Sequence, residues 1–194
     1  ERWDSMATID LIVLGMLKKE PMSAYDIQKL VEYRNISRWV KISTPSVYKK
    51  AIQLEEKGFI KADIIKTGKM PEKTVYTLTD AGEKEFERLM FEIAAKPIHI
   101  FLDFNAVIVN LDSLTPDHQK LCVENIEKNV ISLKGYLEQN LREKENIPEI
   151  PETGMAVLRQ QLVLVEAIEK WISSLKIEFS KGRSENGEYP STAH

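Results

Sequence analysis

Ser46, Tyr48, Lys49, Lys50 and Gln53 bring a hydroxyl, a phenol, two ammonium groups and a carboxamide into one short stretch between Ser43 and Gly58. Together they form a set of hydrogen-bond donors and acceptors suited to base edges in a DNA major groove, where each base pair shows its own donor, acceptor and methyl pattern. Lys69 and Lys73 lie in the Gly- and Pro-containing stretch from Thr67 to Thr74 and add point charges that suit backbone phosphates. Taken alone, both stretches also fit a plain solvated helix and a plain solvated loop. Their neighbours decide between the readings.

Other chemistry finds little footing. The sequence has no Gly-rich phosphate loop, nucleophile elbow or metal-ligand spacing, and Asp112, Asp117 and Glu124 read as solvated carboxylates. His99, His118 and His194 share no ligand spacing. Cys122 is the single cysteine, which rules out an intrachain disulfide and a thiolate metal cage. An enzyme is therefore not expected, nor is a cofactor. The reduced thiol points to the cytoplasm.

The elements that would position the polar set can be read from the pattern. Thr44 can cap a helix, Pro45 fits its first turn, and Gly58 can end it with a positive φ. Val47, Ala51 and Leu54 recur at i, i+4 and i+7, which gives that helix an apolar back and leaves its polar residues in front. Upstream, Thr8 to Lys19 is apolar almost all round and predicts a helix buried in a core or against a second subunit. Pro21 ends it. Ser23 and Asp26 have capping-box spacing for a second helix, with Ile27, Leu30 and Val31 turned inward. Trp39 to Ile42 reads as a short β-prone lead into the central helix.

Downstream, Phe59 to Lys66 and Val75 to Leu78 have β-branched, roughly alternating character, and the lysine-bearing loop joins them. Helix, turn, helix and then a two-stranded basic loop is the order of a winged helix-turn-helix. Thr79 caps another helix with Asp80 and Glu83 in its first turn, and Pro97 breaks it. Residues 98–111 are strongly apolar and predict a buried short helix or packed connector.

Charge follows the same division. The net charge of −3 argues against a generic polyanion binder. Residues 1–90 hold 16 basic against 14 acidic side chains, a net of +2, and residues 91–194 hold 11 against 16, a net of −5. The longest apolar runs are far too short to span a bilayer, so no membrane partner is expected. No signal or transit pattern opens the sequence.

The second half predicts two long helices. Leu121, Ile126, Val130, Leu133, Leu137 and Leu141 stripe the first, and Ile147 to Pro151 turns the chain. Met155, Leu158, Leu162, Val165, Ile168, Ile172, Leu175 and Phe179 stripe the second, to about Lys181. Two such helices have more apolar stripe than they can bury on each other, which predicts a twofold-related copy as partner. Gly182 to His194 is polar and reads as a disordered tail. The expected organisation is mainly α with a small β wing: residues 6–95 as a winged helix-turn-helix, 96–181 as a helical dimerisation domain and 182–194 as tail. Residues 1–5 precede a Met6 that can serve as a start, and the sequence leaves their origin open.

Three stretches in order carry a family resemblance: Val13-Leu14-Gly15-Met16-Leu17 to Pro21-Met22-Ser23-Ala24-Tyr25-Asp26-Ile27; Ser46-Val47-Tyr48 to Leu54-Glu55-Glu56-Lys57-Gly58-Phe59-Ile60; and Met70-Pro71-Glu72-Lys73-Thr74-Val75-Tyr76-Thr77-Leu78-Thr79-Asp80-Ala81-Gly82. This first half resembles the PadR family of bacterial transcriptional regulators, and the second half resembles the long helical extension of one of its subgroups. The resemblance implies a homodimeric repressor that binds a palindromic double-stranded operator. It also implies DNA-contact roles for Tyr48, its neighbours Thr44, Ser46, Lys49, Lys50 and Gln53, and the wing residues Lys69 and Lys73. A small aromatic effector is a further implication, with Trp39 and Trp171 as pocket walls; plain core is the other reading of both rings. The sequence departs from the family pattern at Ala24, where Gly is usual, at Ile52 and Gln53, where basic residues are common, and at Met70, where Arg often precedes the proline. The alternative function is a winged-helix protein–protein interaction module.

Overall fold

The computed structural model describes residues 2–40, 45–66, 72–148 and 150–185. Thr44, Lys69 and the tail from 186 onward lie outside the described residues, and at Ser46 only the backbone is described. The chain forms two compact units, residues 1–99 and 100–194.

In the first unit, α1 (Arg2–Leu17) supplies Ile9, Val13, Leu14, Met16 and Leu17 to one core. α2 (Ala24–Tyr33) begins with both halves of the capping box: the Asp26 N–H donates to Ser23 Oγ at 3.2 Å, and the Ser23 N–H donates to Asp26 Oδ2 at 3.3 Å. A 3-10 turn, Ile36–Arg38, follows, entered through Asn35 in the left-handed region (φ 52°). Trp39 and Val40 continue this turn, so the β-prone lead expected at Trp39 to Ile42 is not a strand where it is described. The Trp39 and Val40 N–H groups both donate back to the Ile36 carbonyl, which leaves no extended backbone to pair.

α3 (Pro45–Glu56) buries Val47, Ala51 and Leu54 against α1 and α2. Its end is a Schellman turn. Gly58 sits at φ 75°, its N–H donates to the Glu55 carbonyl, and the Phe59 N–H donates to the Leu54 carbonyl. Two antiparallel strands then pair, β1 (Ile60–Ile65) and β2 (Lys73–Leu78), in register from Ile60 opposite Leu78 to Ile65 opposite Lys73. Met22, between α1 and α2, exchanges two backbone hydrogen bonds with Tyr76, which ties the α1–α2 connection to the hairpin.

α4 (Asp80–Ala94) is seated by Thr79, whose Oγ accepts the Gly82 N–H and donates to the carbonyls of Gly58 (2.7 Å) and Phe59 (3.0 Å). One hydroxyl thus joins the end of α3, the start of the hairpin and the cap of α4. Gly82 is what lets them meet: a Cβ there would lie 2.0 Å from the Phe59 carbonyl oxygen.

In the second unit, α6 (Pro116–Lys144) and α7 (Glu152–Glu185) pack along their length after the single turn of α5 (Asn105–Ile108). Val123, Ile126, Val130 and Leu137 of α6 meet Val165 and Ile172 of α7, and Leu111 closes the cluster. Lys134 to Glu169 (2.6 Å) and Lys176 to Glu127 (2.7 Å) bridge the two helices. α7 continues past Lys181 to Glu185, so the expected tail begins later than Gly182.

The apolar stretch 98–111 is mostly exposed, contrary to the expectation of burial: Ile98 is 91% accessible, and Ile100, Phe101 and Val109 are also exposed. Only a single α-turn and the 3-10 turn Leu111–Ser113 form there, too short to give the run one inward face. Leu121 and Leu133 of the α6 stripe are exposed as well, because α6 presents Val123 and its i+3 and i+7 partners to α7 instead.

Candidate nucleic-acid interface

α3 has a sharp division between its faces. Val47, Lys50, Ala51 and Leu54 are buried, whereas Tyr48, Lys49 and Ile52 are exposed and Gln53 is half-buried. Tyr48 (52% accessible) and Ile52 (47%) are large side chains that the fold leaves in solvent on the outward side. The polar front expected of this helix thus includes Tyr48, Lys49 and Gln53.

Lys50 does not belong to that front. It is 4% accessible, and its Nζ lies 2.8 Å from Asp10 Oδ1 of α1. The DNA-contact role expected of Lys50 is corrected by this placement: an ammonium group turned into the core cannot meet a phosphate or a base. The reason is helical geometry. Lys50 sits three residues after Val47 and four before Leu54, on the same stripe as the core residues, and Asp10 supplies the opposite charge that makes burial tolerable. From the sequence alone the two adjacent lysines, Lys49 and Lys50, read alike as outward-facing.

Ile52 stands out in the sequence only as a departure from the family pattern, with no contact role. An exposed branched aliphatic beside Tyr48 and Gln53 can make the apolar contact that a thymine methyl offers in the major groove. Its position outside the Val47–Ala51–Leu54 stripe was the available signal.

At the wing, Lys73 opens β2 and its Nζ lies 2.7 Å from Asp26 Oδ2. The same oxygen accepts the Ser23 hydroxyl at 2.8 Å. Lys73 is therefore held against the N-terminal turn of α2, and its ammonium, with smaller help from the Ser23 hydrogen bonds, keeps the Asp26 carboxyl below its ordinary value against the opposing effect of burial. On β2, Tyr76 is buried in the core of the first unit; burial pushes its phenol up, with lesser contributions from Glu55 and Tyr48.

Trp39 and Trp171 lie in different units. Trp39 is exposed in the turn after the 3-10 segment of the first unit. Trp171 of α7 stacks on Phe104 with ring centroids 5.8 Å apart and planes 19° from parallel. A cleft of about 400 Å³ in the second unit is lined by Val123, Ile177, Phe179, Lys120, Lys176 and neighbours, with neither tryptophan among them. Among the described residues no cluster has the makings of a metal site, and no helix is long and apolar enough to cross a membrane.

A helix pair whose second member shows a polar outer face, completed by a two-stranded hairpin and a capped fourth helix, is a winged helix-turn-helix. Residues 13–88, within the first unit, match the model of the transcriptional regulator PadR-like family. The negative transcriptional regulator PadR of Bacillus subtilis is 30% identical over 80 residues, which are 41% of this chain and 43% of that protein. The matched stretch thus spans less than half the length of that relative. In structure, Bacillus subtilis PadR in complex with operator DNA superposes with a TM-score of 0.75 at 22% identity, covering 89% of this chain and 99% of that one. The same protein in complex with p-coumaric acid gives a TM-score of 0.73 at 19% identity over 90% and 97%. The fold is thereby shared over both units.

Proposed function

We propose that the protein is a sequence-specific DNA-binding repressor that acts as a homodimer on a palindromic operator. The observation that carries this reading is the outward face of α3, where Tyr48, Lys49 and Ile52 are exposed and Gln53 half-exposed, outside the core that holds Val47, Ala51 and Leu54. In this reading α3 enters the major groove, Gln53 and Tyr48 bond base edges, and Ile52 packs on a thymine methyl. Ser46, Thr44 and Lys49 contact the backbone near the helix start, and Lys69 does so from the wing. Residues 100–185 pair with their copy through α6 and α7, and the exposed apolar side chains Leu121, Ile131 and Val163 supply the surface for it. The two copies of α3 then sit about 34 Å apart, one turn of DNA.

A small aromatic effector fits the same reading, since a DNA complex and a p-coumaric acid complex are both known for the Bacillus subtilis protein. The Trp171–Phe104 stack offers a ring surface that such a ligand could join or displace. Titration of p-coumaric acid against tryptophan fluorescence, in the wild type and in Trp171→Phe, tests this; a quench that survives the substitution undiminished removes Trp171 from the site.

The primary test is binding to the DNA upstream of the protein's own gene, titrated at several salt concentrations against an unrelated duplex. A clear preference for the upstream duplex with a steep salt slope is expected. Equal weak binding to both would move the first unit to the protein-interaction reading.

A further inference from the structure

The pair formed by Asp10 and Lys50 is the most unusual polar feature of the first unit. Both side chains are nearly sealed from solvent, with 12% and 5% of their area accessible, and their charged atoms lie 2.8 Å apart. Yet neither Asp10 Oδ1 nor Lys50 Nζ has a well-directed hydrogen bond to any described group. A lysine ammonium has three donors, so most of the hydration it gave up on folding is not replaced. Such a pair is a poor stabiliser. Replacing a buried ion pair by apolar residues of similar volume is often neutral or favourable, whereas removing one partner strands a charge.

What the pair does supply is direction. Val47, Ala51 and Leu54 meet α1 and α2 through aliphatic contacts. Apolar contacts are nondirectional, and a single polar contact within a packed seam is what singles out one register. Lys50 provides that contact from the middle of α3, and Asp10 receives it from the flank of Ile9 and Val13 on α1. Rotation that would keep the stripe covered separates the two charges and leaves both buried alone. The seat of Lys50 also sets where its neighbours point: at about 100° per residue, Lys49 and Gln53 fall on one flank of it, and Tyr48 and Ile52 on the face opposite.

We propose that Asp10 and Lys50 are positioning residues: a buried ion pair between α1 and α3 that fixes the rotation of the DNA-reading helix rather than adding to stability. The proposal rests on the DNA-reading role given to α3 above. It assigns neither residue any contact with DNA.

The test compares wild type with Asp10→Leu/Lys50→Met in the full chain, with Lys50→Met alone as the stranded-charge control. Three measurements are made: thermal unfolding, amide hydrogen exchange resolved by helix, and binding to the upstream and unrelated duplexes. The double variant is expected to unfold no lower than wild type. Its α3 amides should exchange at least tenfold faster relative to those of α2 and α4, and its preference for the upstream duplex should fall about tenfold while binding to the unrelated duplex changes less than twofold. Wild-type exchange in α3 together with wild-type duplex preference would overturn the proposal. So would a loss on both duplexes together with a flatter salt slope, because that is the signature of Lys50 on a phosphate. If wild type itself shows no duplex preference, the DNA reading fails, and hydrogen exchange in α3 still decides whether the pair sets the helix.

Discussion

Gly82→Ala is a methyl-sized change with a large expected cost. The added Cβ would stand 2.0 Å from the Phe59 carbonyl oxygen, 2.9 Å from its carbon and 2.8 Å from Leu78 Cδ1. Contacts under 3.0 Å do not occur for real Cβ atoms, so α4 and the β1 entry must part by about 1 Å. That movement stretches the Thr79 N–H bond to Phe59 (3.1 Å) and the Thr79 hydroxyl bond to the same carbonyl. Two weakened hydrogen bonds at about 1 kcal/mol each, together with overpacking of roughly 1–3 kcal/mol, outweigh the gain of up to about 1 kcal/mol for Ala over Gly in a helix. The net loss is roughly 2–4 kcal/mol, or about 8–32 °C in the melting temperature of a unit this size. The matching substitution Gly135→Ala in α6 meets nothing within 4 Å and should stabilise by up to about 1 kcal/mol. Circular dichroism melts of both variants give the answer. A Gly82→Ala protein that melts at or above wild type would refute the account of how Thr79, Phe59 and α4 interlock. Leu78→Ala should restore little of the loss, because the dominant collision is with backbone.

Further expectations concern the charged pairs and the aromatic stack. Lys50→Met alone strands the Asp10 carboxylate in the core and should cost about 3–5 kcal/mol in urea unfolding, most of it recovered by Asp10→Leu; a loss under 1 kcal/mol would mean that Asp10 is solvated in the folded protein. The Asp26 carboxyl is held below its ordinary value of 3.8 when folded, so its contribution is present above the unfolded value and lost as pH falls through the lowered one. Wild-type stability should therefore decline more steeply below pH 4 than that of Lys73→Met, and parallel acid titrations would contradict the pairing. Trp171→Ala removes the ring over Phe104 and should destabilise by roughly 2 kcal/mol, part of it the stacking itself. Trp171→Phe should recover most of this, as read by denaturant midpoint.

The parts of the fold set by local rules were legible in the residues. Thr79 as cap, Ser23 with Asp26 as capping box, and Gly58 as left-handed stop each need only a few neighbouring residues, and each stands where its spacing places it. The α7 stripe was legible too, since Val165 and Ile172 keep helical spacing against α6. What escaped depends on partners distant in the chain. The inward turn of Lys50 requires Asp10, forty residues earlier in the chain, and neither residue carries a mark of the other. The Met22–Tyr76 bridge has no strand-like run on the Met22 side. The apolar run 98–111 misled because hydrophobicity alone cannot tell burial within one chain from surface awaiting something else. At the candidate site, the outward placement of Tyr48 and Lys49 followed from helix periodicity, while the restraint of Lys73 by Asp26 depended on tertiary contact.

The Schellman turn at Gly58 and the Thr79 hydroxyl secure α3 from behind and at its end, through backbone carbonyls rather than through its outward side chains. Specificity and architecture are therefore separable along this helix. Positions 48, 49 and 52 are exposed and can be varied together with the core of the first unit intact, so in the DNA-reading role proposed for α3 such variants would change recognition and leave the frame standing.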